Sequence, residues 1–199
     1  MKFSVSIILI LFGALLYNGY PKTRISKSKS YRIYFSSESS LIIKGTTNVN
    51  SFKCSYDISK FSDSLSVNFI ENGKGIEFKN TELILPNINF NCGHKGITKD
   101  FNKLLKTKEF PEIRMTLLNA KPSRSNENEI IVSLDITICG ISNVYEIPVY
   151  MNTDEDITVR GLLPINILDF KLEAPTKVLG IIKVSNEIEI DFHLKIQKC

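Results

Sequence analysis

The sequence predicts an all-β domain, an extended antiparallel meander closed into an eight-stranded barrel with one short helix. Three observations carry this. From Tyr31 onward apolar and polar residues alternate in segment after segment, the period-two mark of half-buried strands. Turn signals separate the segments: Asn72-Gly73-Lys74-Gly75, Pro122 to Asn128, Cys139-Gly140 and Asn152 to Asp156. Several runs reach nine or ten residues, longer than an average strand, which favours a tall barrel over a small sandwich.

The chain opens on Met1-Lys2-Phe3 and an apolar run from Ile7 to Tyr17, followed by Asn18-Gly19-Tyr20-Pro21. A basic residue ahead of a short apolar run is the pattern of a secretory signal peptide. The run falls short of the ~20 apolar residues that cross a bilayer. Residues 1–20 are therefore expected to be a signal peptide. Basic charge after the run opposes export, so an uncleaved anchor is the alternative. Residues 21–30 hold Lys22, Arg24, Lys27 and Lys29 with no acid and read as a flexible basic linker. The net charge of +4 thus belongs to the leader and linker, because residues 31–199 carry −1. This excludes a nucleic-acid protein, which needs basic residues among aromatics on a folded face. The 22–29 segment is suited instead to contact with anionic lipid headgroups at a membrane surface.

The strands follow in order. Phe52-Cys54-Tyr56-Ile58, Leu65-Val67-Phe69 and Ile88-Phe90-Cys92 come first. The period then breaks: Phe101, Leu104 and Leu105 stand at helical spacing, Thr98 is a candidate N-cap, and Lys103 and Lys106 suit a helix C-terminus. This apolar stripe reads as core packing, with a lid over a cavity as the alternative. Phe110-Pro111 restores extended chain. Ile113-Met115-Leu117, Ile130 to Ile138, Tyr145 to Met151, Val159 to Ile167 and Ile188 to Ile196 complete the set.

Cys54 and Cys92 fall on apolar faces of segments able to neighbour one another, which predicts a disulfide in an exported protein. Two buried thiols are the alternative. Cys139, at a turn, and Cys199, at the end, are expected unpaired. No C-x-x-C or histidine cluster supports a metal site, and no cofactor is expected. Cys92-Gly93-His94 raises a nucleophile and base, but catalytic groups meet in space and not by adjacency. A thiol-dependent hydrolase is the least favoured reading. His193 alternates onto a polar face, and no hydrolase, zinc-protease or nucleotide-binding motif is present.

The inward parity of the strands places Phe52, Tyr56, Val67, Phe69, Phe90, Met115, Leu117, Leu134, Ile136, Ile147, Leu163, Ile190 and Phe192 in the barrel interior. An eight-stranded barrel is either filled by its own side chains or holds one small ligand. Periodicity leaves both open. Such walls suit an alkyl or isoprenoid chain.

From about Ser36 onward the chain resembles the YceI-like family of lipid- or polyisoprenoid-binding proteins. The matching pieces are Ser40-Leu41-Ile42-Ile43-Lys44-Gly45-Thr46-Thr47-Asn48-Val49-Asn50-Ser51-Phe52, the helix Asp100 to Lys106, Phe110-Pro111-Glu112-Ile113, Ile138-Cys139-Gly140-Ile141-Ser142-Asn143-Val144, and Arg160-Gly161 through Asp169-Phe170. The resemblance implies a lipocalin-like barrel with a hydrophobic cavity, a lipid or isoprenoid ligand and no catalysis. It also implies export to the bacterial periplasm or envelope. Ile97 and Met115 depart from the family pattern but stay apolar. A non-catalytic envelope interaction module with a filled core is the alternative function.

Overall fold

The computed structural model describes residues 28–61, 64–126, 129–153, 156–177 and 181–198. The expected signal peptide, most of the linker and Cys199 lie outside them. The strands are β1 (Ser28–Phe35), β2 (Ser40–Thr47), β3 (Ser51–Tyr56), β4 (Leu65–Asn72), β5 (Gly75–Pro86) and β6 (Phe90–Asn91). They continue with β7 (Glu112–Pro122), β8 (Glu129–Ile138), β9 (Ile141–Asn152), β10 (Ile157–Asn166), β11 (Thr176–Lys177) and β12 (Ile182–Lys198). The helix α1 spans Lys95–Leu104.

Eight strands form an antiparallel ring in the order β1-β4-β5-β7-β8-β9-β10-β12. The pairs Ile33↔Lys198, Tyr34↔Gln197 and Phe35↔Ile196 close it. β12 is 17 residues long and serves two partners along one edge. Its last residues pair with β1, while Val184 to His193 pair with β2, from which β3 and β6 continue as a branch. The expected eight strands are thus the ring, and the branch adds to it.

Alternation does the work that was expected of it. On β8, Val132, Leu134, Ile136 and Ile138 are buried. On β10 and β12, Leu163, Ile165, Ile190 and Phe192 are buried as well. The outer faces carry surface ion pairs, such as Lys44 between Glu189 and Asp191 at 3.0 and 2.7 Å. Pairs this exposed add little to stability, because water screens them.

Three expectations are corrected. Residues 28–30, placed in the linker, begin β1, and Lys29 is paired with Glu71 at 2.6 Å. The helix begins before Thr98, with His94 as its N-cap: His94 Nδ1 accepts the Gly96 N–H at 3.1 Å. Thr98 lies inside the helix, where its hydroxyl donates to the His94 carbonyl at 3.1 Å and accepts from Cys92 N–H at 3.1 Å. The run Ile88-Phe90-Cys92 is a strand only at Phe90–Asn91, because Asn87–Asn89 forms a 3-10 turn that leaves Ile88 75% exposed.

Candidate functional site

A cavity of about 60 Å³ lies inside the barrel under α1. Its wall comes from both ends of the chain. β2 supplies Leu41 and Ile43, β5 Leu85, β7 Ile113 and Met115, and β12 Val184, Ser185, Ile188 and Ile190. Phe52, Phe90, Ile138, Ile167 and Leu172 complete the sides, and Phe101, Leu104 and Leu105 come from the helix segment. Ser185 is the one polar residue of the wall, and its hydroxyl already accepts the Glu187 N–H at 3.0 Å.

The helix segment is fastened at both ends. On its N-terminal side Cys54 and Cys92 form a disulfide that bonds β3 to the residues leading into α1. With a sequence separation of 38, the chain-entropy model gives this link about 4 kcal/mol. On the other side Leu105 is buried, and its carbonyl accepts from Cys139 Sγ at 3.0 Å. Burial pushes the Cys139 thiol above its usual range, so it is a protonated donor at neutral pH. Asn87 Nδ2 reaches Thr107 Oγ1 at 3.2 Å and the Phe110 carbonyl at 2.8 Å. Between these fastenings α1 has no buried residue. Phe101 packs on Phe90 with ring centroids 5.2 Å apart.

Of the residues given inward parity, Phe52, Phe90, Met115 and Ile190 line this cavity, and so do Phe101, Leu104 and Leu105. Tyr56, Leu134, Ile136, Ile147, Leu163 and Phe192 are buried elsewhere in the core, and Leu117 packs against it half-buried. Val67 and Phe69 are only half-buried on β4; Phe69 stacks on Tyr31 at 5.8 Å and lies under Lys29 Nζ at 5.9 Å. They belong to the far end of the ring. Parity identifies a face and carries no information on height along the barrel axis.

The same limit explains what the pattern missed. Leu41, Ile43, Leu85, Ile113, Ile138 and Ile167 are wall residues with the correct parity, and Leu172 comes from a loop. Only three-dimensional strand register brings them to one level.

Nothing catalytic assembles around Cys92 and His94, since the sulfur of Cys92 is in the disulfide and His94 caps the helix. Among the described residues no group of three or more His, Cys, Asp or Glu is placed to hold a metal ion. Asp169 accepts the Tyr145 hydroxyl at 3.2 Å, and the Tyr145 ring packs against the core beside Phe170. His193 faces Arg160 and Ser40 across its neighbouring strands.

The profile of the YceI-like domain matches residues 37–196, most of the chain. Three solved structures share the fold. BcnA of Burkholderia cenocepacia is 17% identical, with a TM-score of 0.61 over 80% of this chain and 96% of that one. A polyisoprenoid-binding domain from Saccharophagus degradans is 14% identical, with a TM-score of 0.60 over 85% and 99%. A YceI protein of Campylobacter jejuni is 13% identical, with a TM-score of 0.51 over 100% and 98%. Among curated protein sequences none matches significantly.

Proposed function

The chain belongs to the YceI-like family, and from that premise we propose that it is a carrier holding an apolar lipid or isoprenoid chain in its barrel for transport, storage or sequestration. The observation that carries this is the wall chemistry: every lining side chain except Ser185 is a hydrocarbon or a thioether. Such a wall offers nothing to orient a polar substrate. It gains ~0.8 kcal/mol for each CH₂ it buries. The Saccharophagus neighbour, described as polyisoprenoid-binding, supports the same class of ligand. The place of work is the periplasm or cell envelope. Its support is the apolar run Ile7 to Tyr17 and a buried disulfide of the kind that persists in oxidising compartments. The chain acts by binding and not by catalysis.

Size sets the condition for loading. The cavity of about 60 Å³ is smaller than the ~150 Å³ that admits one benzene ring. A chain enters only if the wall moves, and α1, whose Phe101 and Leu104 are half-buried against the core, is part of that wall. The same volume favours a second reading, a non-catalytic envelope interaction module with a filled core.

Native mass spectrometry of the protein extracted gently from its own cell separates the two. Mass increments matching an isoprenoid or acyl lipid are the expected result. Repeated absence of lipid, together with no binding of isoprenoid quinones or fatty-acyl probes, would establish the filled core.

A further inference from the structure

We propose that the barrel end formed by the β2–β3 turn and the start of β12 docks on the surface of an anionic lipid bilayer. The inference deepens the carrier reading and rests on it for one point, that the ligand comes from a membrane.

Asn48 creates this surface. Its N–H donates to the Lys183 carbonyl at 3.1 Å, its Nδ2 donates to the Ile181 carbonyl at 2.9 Å, and its Oδ1 accepts the Lys183 N–H at 2.9 Å. Three bonds from one residue lock the turn against the start of β12. They bring Val49 and Ile181 to the same end, each 66% exposed. Two aliphatic side chains this bare, fixed on a braced turn, are well placed to enter an apolar medium.

The patch lies a few residues along the chain from the cavity wall. Val49 precedes the wall residue Phe52 on the β2–β3 hairpin, and Ile181 precedes the wall residues Val184 and Ser185 on β12. These three wall residues are half-buried, so the apolar lining reaches the surface beside the patch.

Charge selects the occupant. Lys53 and Lys183 are exposed next to the patch, and neither has an ion-pair partner among the described residues. Lys44, which faces Lys53 across β2 and β3, is already held by Glu189 and Asp191. Glu187 on this part of β12 accepts from Asn166 Nδ2 at 2.7 Å and keeps its charge, so two lysines stand against one acid once Lys44, Glu189 and Asp191 are set aside as a group. Aliphatic tips flanked by exposed ammonium groups match hydrocarbon under anionic headgroups.

The chain contains no tryptophan, so a single introduced indole reports on its own site. Val49→Trp and Ile181→Trp are each made in the full chain. Met151→Trp is the control, because β9 pairs Met151 with Val159 at the opposite end of the barrel. Each is mixed with vesicles of phosphatidylcholine and phosphatidylglycerol, with bromine-labelled acyl chains as quencher. Blue shift and quenching at 49 and 181, with none at 151, are expected. Lys53→Gln and Lys183→Gln should each weaken partitioning about fivefold, the equivalent of ~1 kcal/mol per lysine. No quenching at either 49 or 181, or equal quenching at 151, overturns the proposal. The two reporters guard against one substitution disturbing its turn. Farnesol binding without vesicles reads the carrier function separately: binding without quenching removes docking alone, and quenching without binding removes the carrier reading alone.

Discussion

Gly161 and Phe192 are register partners on β10 and β12, and the Phe192 ring lies so close over Gly161 that a Cβ there would stand 2.4 Å from its Cζ. The ring replaces the side chain that the glycine lacks. Gly161→Ala should therefore cost about 1–3 kcal/mol by overpacking. Phe192→Ala should cost about 3–5 kcal/mol. With the ring gone the alanine has room, so the double variant should be no less stable than Phe192→Ala alone. Urea unfolding of the four proteins gives the coupling, and simple additivity would contradict the stacking.

Gly45 and Phe52 repeat the arrangement on β2 and β3, with 2.3 Å from a Cβ at 45 to Phe52 Cζ. They differ in what the ring touches, because Phe52 lines the cavity and Phe192 does not. Gly45→Ala should lose stability and also change the amount of lipid carried. Gly161→Ala should lose stability and keep its lipid. Native mass spectra of the two variants side by side make the comparison.

Removing the disulfide with Cys54→Ala and Cys92→Ala together should lower stability by about 3–4 kcal/mol, measured by denaturant unfolding under non-reducing conditions. Adding a reductant to the unmutated protein should close most of that difference. A double variant as stable as the oxidised protein would contradict a link that restrains the unfolded chain.

Burial, reinforced by the carboxylate of Asp169, pushes the Tyr145 phenol up from 10.0 to about 12. Between those values the unfolded chain has released this proton while the folded chain retains it. The unfolded state binds fewer protons, so stability falls as pH rises through that window and the contribution is complete below it. Tyr145→Phe should flatten this part of the alkaline branch of a stability–pH curve. An unchanged slope would show that Tyr145 does not supply it.

What could be read in the sequence is what repeats along it. The alternation on β10 and β12 survives because each has one buried face, on β8 it is interrupted only where Ser133 is buried between Val132 and Leu134, and the Cys54–Cys92 link follows from two buried faces meeting. β5 escaped because its pattern is broken: the register shifts between Glu77 and Thr81, and Asn80 adopts a left-handed φ of 49°. The chain changes face there, and the buried Thr81 uses its hydroxyl to accept the Asn68 N–H at 3.1 Å. β1 escaped because it is largely exposed, so it has little apolar periodicity to display. For the cavity, face was legible and level was not. Phe52 and Phe192 look alike in the sequence, and only the stagger of the ring sends one to the cavity and the other to solid core.

β12, described above as the strand with two partners along one edge, is also the last strand of the sheet in chain order. Until residues 182–198 are available, β1, β2 and β10 each lack the neighbour that occupies that side. A growing chain thus holds an open sheet with bare edges, and edges of that kind recruit other strands. Adding β12 supplies the missing neighbour of all three strands. Loss of this terminal segment would leave an unclosed, adhesive sheet in place of a slightly shortened barrel.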